Sequence, residues 1–166
     1  VTQIHKDFGR IDVLVNNAGI TKDNLLIRMS DEEWDQVLAV NLKGTFLVCQ
    51  ACLPALRSSG RGRIVTVSSI SGVRGDDFAS HYSASKFGVV GLTQSLAVEN
   101  GRHGMTVNSV CPGTIPQTAM GQSSMRQKID LRQLSEAEIV SRDSKGLPLG
   151  RLGRPRDGIA LLDRVI

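Results

Sequence analysis

Three short runs rich in Val and Ile limit what this chain can fold into more than any other feature of its sequence. They span residues 11–15, 63–67 and 105–110, and each is followed by small or polar residues. Near-continuous apolar runs of this length are typical of strands that are covered on both faces. One long helical pattern lies between each neighbouring pair of runs. This order of strand, helix, strand, helix and strand predicts an α/β fold with three parallel strands and flanking helices.

The first helical pattern covers residues 31–57. Ser30 and Glu33 have the spacing of a capping box at its start. Asn41 lies at the edge of the apolar stripe, where a buried amide without a partner costs about 1–3 kcal/mol. We therefore expect its side chain to bond to a nearby backbone group. The stripe has a period near 3.6 and consists of Trp34, Leu38, Leu42, Phe46, Cys49, Leu53 and Leu56.

The second helical pattern covers residues 79–99. Tyr82 and Lys86 are four positions apart, so they share one face of this helix. A second stripe of small residues allows another backbone to approach closely. That neighbour is either another helix of the same chain or a helix of a second subunit. The small residues are Ala84, Gly88, Gly91 and Ser95.

Composition and charge exclude several classes of protein. Twenty Lys and Arg against sixteen Asp and Glu give a net charge of +4, which is too mild to indicate a nucleic-acid partner. The uncharged apolar runs are too short to predict a membrane span, and no secretion signal pattern opens the chain. Three cysteines cannot pair evenly, which favours free thiols in a reducing compartment, the cytoplasm.

Other side chains that could carry chemistry have simpler interpretations. Cys49 and Cys52 lie within a helix on its apolar stripe, so we expect two buried apolar residues and no redox pair. The three histidines lack ligand spacing, and no metal site is predicted. Asp76 and Asp77, like the basic residues between positions 126 and 156, are expected on the solvated surface, although the aspartates lie close enough to Tyr82 to allow a substrate contact.

A long polar segment follows the third strand. Residues 112–150 show no strand pattern, and an excursion after a strand is where α/β proteins keep a substrate lid. We interpret this segment as a lid within one incomplete domain of residues 1–166. A surface insertion without a role is the alternative.

The most specific chemistry in the sequence is a Tyr–Lys pair near a Ser. Ligands bind beyond the carboxyl ends of parallel strands, and Ser69, Tyr82 and Lys86 are all placed to face that edge. A phenol has a pKa of about 10, and a nearby ammonium is expected to lower it towards neutrality. Such a phenol can exchange a proton with a carbonyl or alcohol, while the hydride must come from a cofactor.

With these residues the sequence resembles the short-chain dehydrogenase/reductase family. The matching segments are Asn16-Asn17-Ala18-Gly19, Val40-Asn41-Leu42-Lys43-Gly44, Ser69, Tyr82-Ser83-Ala84-Ser85-Lys86 and Cys111-Pro112-Gly113. The resemblance implies a partial Rossmann-type doubly wound sheet and a catalytic tetrad of Asn41, Ser69, Tyr82 and Lys86. It makes Tyr82 the general acid/base, with Ser69 positioning the carbonyl. Lys86 lowers the tyrosine pKa and holds the nicotinamide ribose, and Asn41 anchors a water relay.

The resemblance also implies an NADP or NAD cofactor. Asn17, Ala18 and Gly19 would line its adenosine side, and Pro112, Gly113 and Ile115 would flank the nicotinamide, together with Tyr82 and Lys86. The family's Gly-rich phosphate loop and the residue that separates NAD from NADP have no counterpart in the sequence. Thr118 is in doubt as a cofactor ligand, because the segment 114–120 is one residue longer than the family pattern.

Three interpretations of the function remain open, two of them enzymes and one an inactive fragment. The stretch 17–26 is similar to 3-oxoacyl-[acyl-carrier-protein] reductases, in which basic residues, here Arg61 and Arg102, would meet an acidic carrier. The long lid instead resembles those of polyol and other small secondary-alcohol dehydrogenases. A truncated, inactive fragment of a homo-oligomeric parent (a dimer or tetramer) is the alternative of another class. The substrate is a small or acyl-carrier-linked carbonyl compound, with neither nucleic acid nor membrane as partner.

Overall fold

The computed structural model describes residues 1–165 as an α/β arrangement around one sheet. Its strands are β1 (Val13–Asn16), β2 (Arg63–Val67) and β3 (Thr106–Val110). All pairings are parallel, in the order β1-β2-β3, which confirms the predicted sheet. The helices are α1 (Thr2–Phe8), α2 (Asp31–Leu38), α3 (Gly44–Ser58), α4 (Ser80–Asn100), α5 (Ala119–Arg132), α6 (Glu136–Ser144) and α7 (Pro155–Leu162).

The register aligns the carboxyl ends of the three strands. Val15 lies opposite Val65 in the first pairing, and Val67 lies opposite Val110 in the second. The backbone continues this alignment past the strands, because Ile70 N donates to Pro112 O at 2.8 Å. The segments that leave β1, β2 and β3 therefore meet at one edge of the sheet.

The first predicted helix is continuous but changes its geometry in the middle. Ala39–Lys43 forms a π-helical segment between α2 and α3, so the predicted helix over residues 31–57 is confirmed in its extent, while its regular 3.6 period is not kept throughout. Asn41, in this segment, is buried and bonded to a neighbouring loop, a tertiary contact that the helical period does not report. The capping box of Ser30 and Glu33 is confirmed.

The core lies between α3, α4 and the sheet. Cys49 and Cys52 are 1% and 4% exposed, which confirms that they are buried apolar residues. Burial raises the pKa of both thiols, and so disfavours thiolate chemistry. The buried residues of this cluster are Cys49, Cys52, Leu56, Ile64, Leu96, Met105 and Val107.

The helical stretch Asp31–Ser58 is long and apolar enough, by length and composition, to cross a membrane, which the length of the apolar runs did not predict. Its residues Val37, Asn41 and Leu56 are fully or almost fully buried. The stretch packs on β1 and α4, and a core helix satisfies the same criteria of length and composition.

The predicted lid segment contains two helices. Thr118 begins α5, and its hydroxyl accepts a hydrogen bond from Gly121 N at 3.0 Å. Ser135 begins α6 with a capping box completed by Glu138. These caps explain why a polar sequence without a strong apolar period still forms helices.

Candidate active site

A cavity of about 480 Å³ lies at the carboxyl edge of the sheet. The segments after all three strands contribute to its wall, as do the start of α4 and one face of α5. The sequence-predicted residues on this wall are Asn17, Gly19, Ser69, Tyr82, Lys86, Pro112, Gly113 and Ile115. Ala18 is exposed and is not part of the wall. Asn41 is buried next to Gly19 and does not line the cavity.

Tyr82 and Ser69 lie on the same wall of the cavity, near each other. Ser69 lies near the Tyr82 hydroxyl and acts to lower the tyrosine pKa, while its own Oγ accepts from Ser71 N at 3.1 Å. The neighbouring Ser68 points elsewhere, and its hydroxyl donates to Lys86 O at 2.9 Å. The two adjacent serines thus have different environments, and Ser69 is the one beside the phenol.

Lys86 is almost fully buried, and its ammonium is positioned by the backbone of β2. Its Nζ donates to Val67 O at 2.8 Å and lies 5.6 Å from the centre of the Tyr82 ring. Burial lowers the pKa of Lys86 to about 8, against an opposing effect of the Cys111 thiol. The lysine therefore begins to lose its charge only slightly above neutral pH.

The pKa of Tyr82 differs from the expected direction. Burial raises this pKa, the nearby Ser69 opposes the increase, and the Asp23 carboxylate adds to it. Lys86 is not among the groups that shift it, because a lysine with a pKa of about 8 has lost its charge at the higher pH where this phenol ionises. The phenol is therefore protonated at neutral pH and is ready to donate, as the reduction of a carbonyl requires.

Asn41 joins the loop after β1 to helix α4. Its Oδ1 accepts from Ile20 N at 2.8 Å, and its Nδ2 donates to Ile20 O and to Ser85 Oγ, each at 3.0 Å. This agrees with the expected backbone bond. A Cβ at Gly19 would lie 3.3 Å from Asn41 Oδ1 and 3.4 Å from Lys86 Nζ, so Gly19 lets the loop approach both side chains closely.

Replacing Asn41 with alanine should lower the free energy of unfolding by about 2–4 kcal/mol, because Ile20 loses both partners and a cavity remains. Urea unfolding followed by circular dichroism measures this. The matched control is Gln50→Ala on an exposed position of α3, which should change stability by less than about 0.5 kcal/mol. Equal effects of the two substitutions would contradict the structural role of Asn41.

The wall fits a nicotinamide cofactor. The ammonium of Lys86 is buried with a single protein acceptor recorded among residues 1–165, so donors remain for ribose hydroxyls. The space beside Gly113 is open, because a side-chain Cβ at this position would have no neighbour within 4 Å, and a flat ring can lie there. When bound there, the cofactor supplies or receives hydride. Thr118, in contrast, uses its hydroxyl to cap α5.

A charged cluster joins the lid to Asp76 and Asp77. The prediction of a solvated surface is confirmed for Asp76 and Asp77, which are exposed, but it is wrong for Lys128 and Arg132. Lys128 Nζ lies 3.2 Å from Asp143 and 3.7 Å from Asp76. Arg132 pairs with Asp77 and lies 3.6 Å from Asp143. The side chains of Lys128 and Arg132 are 8% and 7% exposed. Polar composition alone could not show this, because the partners come from distant segments.

The two predicted carrier-binding arginines lie away from this cavity. Arg61 precedes β2, and Arg102 precedes β3, so both are at the amino ends of the strands. A five-residue strand is roughly 17 Å long, which separates them from the cavity of their own chain. Arg61 also pairs with Asp12 at 3.2 Å.

Several wall residues were missed by the sequence analysis. Asp23 accepts a hydrogen bond from Ser124 at 2.7 Å, and Met120 Sδ lies 3.9 Å from the Tyr82 hydroxyl. The four-residue spacing of Met120, Ser124 and Lys128, which places them on one face of α5, was the available signal. In the described part of the chain, no three His, Cys, Asp or Glu residues are grouped so as to hold a metal.

This arrangement is suited to proton transfer beside a hydride site. Tyr82 holds a proton next to Ser69, whose hydroxyl can hold a carbonyl oxygen in place. Lys86 provides a buried positive charge near the same oxygen. Ser124 and Lys128 on α5, together with Asp23 in the loop after β1, add polar groups, so the wall can also recognise a polar part of the substrate.

The comparisons with known proteins agree with this geometry. The family model described as short chain dehydrogenase matches residues 1–129. The chain is 47% identical over 146 residues to human (3R)-3-hydroxyacyl-CoA dehydrogenase, covering 87% of the chain and 51% of that protein. It is 43% identical over 157 residues to a 3-oxoacyl-[acyl-carrier-protein] reductase of Thermotoga maritima, covering 95% and 59%. The chain thus spans between half and three fifths of these two curated relatives.

Solved structures give the same result. A crystal structure of a variant actinorhodin polyketide ketoreductase with NADPH superposes with a TM-score of 0.90 at 37% identity, over 99% of this chain and 63% of that chain. Sorbitol-6-phosphate 2-dehydrogenase from Erwinia amylovora superposes with a TM-score of 0.91 at 34% identity, over 99% and 65%. The similarity therefore extends across the lid as well as the sheet.

Proposed function

The chain belongs to the short chain dehydrogenase family, and on that basis we propose that it forms the catalytic part of a ketoreductase that acts on 3-oxoacyl thioesters with NADPH or NADH. The observation that carries the proposal is the position of Ser69, Tyr82 and Lys86 on one cavity wall. The names of several relatives support the substrate class, because they include reductases of carrier-linked and CoA-linked acyl groups. We propose a cytoplasmic location from the free cysteines.

The proposed reaction uses the residues as the structure positions them. The ketone oxygen accepts hydrogen bonds from Ser69 and Tyr82, which would hold its carbon towards the place where a bound cofactor would supply hydride. Tyr82 donates its proton to that oxygen as negative charge develops there, which completes the alcohol. Asn41 acts from behind by fixing the loop that carries Gly19.

A matched substrate panel tests the proposal. We expect a protein containing this chain to oxidise reduced nicotinamide cofactor with an acetoacetyl thioester at least about tenfold more efficiently than with a small ketose. The kcat/KM ratio, followed by cofactor absorbance, is the measurement. A preference for the sugar would instead support the second candidate, a polyol dehydrogenase, which the polar side chains Asp23, Ser124 and Lys128 on the wall also suit.

We also propose that the chain alone binds the cofactor weakly. No stretch of its sequence has the Gly-rich loop that supplies backbone N–H groups to phosphates. Titration with reduced cofactor, followed by its fluorescence, is the test, and micromolar binding would overturn this part of the proposal.

We propose that the protein associates with copies of itself through α3 and α4. Both helices expose large apolar side chains, among them Phe46 at 43%, Phe87 at 47% and Val98 at 85%. Such exposed residues on neighbouring helices are typical of an interface. Gly88, from the small-residue stripe, instead packs on Leu42 of the same chain. Sedimentation of the wild type and of Phe87→Glu tests this, and a monomeric wild type would contradict it.

A further inference from the structure

The cavity wall has two parts of different character. Asp23, Asp76 and Lys128 make one part polar, while Ile115, Ile159 and Leu162 make another part apolar. A thioester substrate also has two parts, a hydrocarbon chain and a polar arm that joins it to its carrier. The arm contains an amide group, whether the carrier is a protein or a nucleotide.

Lys128 is the donor on the polar part of the wall. Its side chain is 8% exposed, yet only one hydrogen bond from its ammonium is recorded within residues 1–165, to Asp143 at 3.2 Å. Asp76 lies at 3.7 Å, which is an ion pair without a hydrogen bond. An ammonium has three N–H groups, so Lys128 keeps donors for a ligand in the cavity.

The surrounding charges determine which acceptor fits. Lys128 and Arg132 carry two positive charges, against the three carboxylates of Asp76, Asp77 and Asp143. A ligand carboxylate or phosphate would add a further negative charge to a cluster that is already acidic. A neutral carbonyl or amide oxygen adds none, and it can accept from the buried ammonium.

The distance along α5 matches the length of the arm. Met120, at the start of α5, contacts the Tyr82 hydroxyl, and Lys128 is eight residues further on, which is about 12 Å along a helix. Helical side chains lean towards the N-terminus, so the ammonium lies less far from Tyr82 than its Cα does. In an extended thioester arm, the first amide oxygen lies about 9 Å from the reacting carbonyl carbon, at ordinary covalent bond lengths.

The open side of the polar wall is also where an arm could leave the protein. The side chain of Asp76 is 36% exposed, and that of the adjacent Asp77 is 44% exposed. A carrier must remain outside the cavity while its acyl group reaches Tyr82. An arm that contacts Lys128 and leaves the cavity beside the exposed side of Asp76 satisfies both conditions.

We propose that Lys128 forms an amide subsite, in which its ammonium donates to the amide oxygen of the thioester arm while the ketone lies at Tyr82. This inference rests on the proposed function and adds to it a residue that selects thioesters by their arm. The acyl chain then lies against Ile115, Ile159 and Leu162. Since carrier-protein and CoA thioesters share the amide, both should use the subsite.

The test is direct binding to a protein containing this chain, by ligand-observed NMR. The probes are the acetoacetyl thioester of N-acetylcysteamine, which has the amide, and an acetoacetyl thioester of an alkanethiol of equal length, which lacks it. We expect about tenfold tighter binding of the amide thioester to the wild type. The CoA thioester should bind comparably, whereas unloaded CoA, which has the amide but no acyl part at Tyr82, should bind more weakly than the CoA thioester.

Two variants test whether Lys128 causes the difference in affinity between the two thioesters. Lys128→Met should bind both thioesters with similar affinity, whereas Arg126→Met, an exposed position on the same helix, should keep the tenfold difference. If Lys128→Met does not fold, the comparison within the wild type still decides. Equal binding of the two thioesters overturns the subsite alone, and no binding of either overturns the proposed function as well.

Discussion

Replacing Tyr82 with phenylalanine should reduce carbonyl reduction by about a thousandfold, within the range that general acid catalysis contributes. The substitution removes only the hydroxyl that faces Ser69 and lies 3.9 Å from Met120. The ring stays in place, so the cavity and the cation–π contact with Lys86 remain. The effect should appear in kcat, because the proton is needed as charge develops on the oxygen.

The measurement is the steady-state rate of cofactor oxidation by a protein containing this chain, with an acetoacetyl thioester. Because burial raises the pKa of Tyr82, the wild type should keep its reduction rate through neutral pH, and the reverse oxidation should increase as pH rises. Cys111→Ser, a change beside the cavity of similar size, is the control and should lose far less activity. Near-normal kcat in the Tyr82→Phe variant would exclude Tyr82 as the acid.

Replacing Lys86 with methionine should make the folded chain more stable at neutral pH, by about 1–2 kcal/mol. Burial lowers the pKa of Lys86 from 10.5 to about 8, which corresponds to roughly 3 kcal/mol of stability lost while the lysine is charged. The variant removes this penalty, but it also loses the hydrogen bond to Val67 O, which offsets about 1–2 kcal/mol of the expected stabilisation. The same variant should be inactive, since the buried charge is removed.

The sign of the pH dependence follows from the direction of that shift. Below about pH 8 both the folded and the unfolded chain hold the proton, and the whole penalty is present. Between about 8 and 10.5 the unfolded state binds more protons than the folded state, so the stability of the wild type rises with pH. The stability of the Lys86→Met variant does not rise in this way, so the difference in stability between the variant and the wild type should disappear over that pH interval.

Urea unfolding at neutral pH and near pH 10, followed by circular dichroism, measures both effects. Lys6→Met is the matched control, because Lys6 is an exposed lysine on α1, and it should leave stability within about 0.5 kcal/mol. A destabilised Lys86→Met variant at neutral pH would show that the buried ammonium contributes more through its contacts than it costs in desolvation.

Most of the architecture is predictable from the sequence, because burial leaves a local signal in the order of residues. Strands that are covered on both faces are continuous apolar runs, so the three runs were found, although the structure begins β1 at Val13 and β3 at Thr106. The two long helical patterns were found by their period and by caps such as Ser30, whereas α5 and α6 in the polar segment after β3 were not. The parallel order followed from the alternation of strands and helices, which confirms the fold class.

The candidate site was only partly predictable. Tyr82 and Lys86 are one helical turn apart, so local spacing already places them on one face. Asp23 and Lys128 lie 105 positions apart in the sequence, and they reach the same wall through the contact of α5 with the loop after β1. Residue spacing cannot report a contact between segments that are so far apart.

By itself, the sequence determined which elements form and which residues lie on one turn, because hydrophobic period, caps and spacing act over a few residues. Only the tertiary structure decided how readily the site residues ionise and which side chains they pair with. It buried Lys86 and lowered its pKa, raised the pKa of Tyr82, and placed Asp76 and Asp77 against Lys128 and Arg132. Desolvation and ion pairing depend on what surrounds a group in space, and distant segments supply those surroundings only once the chain is folded.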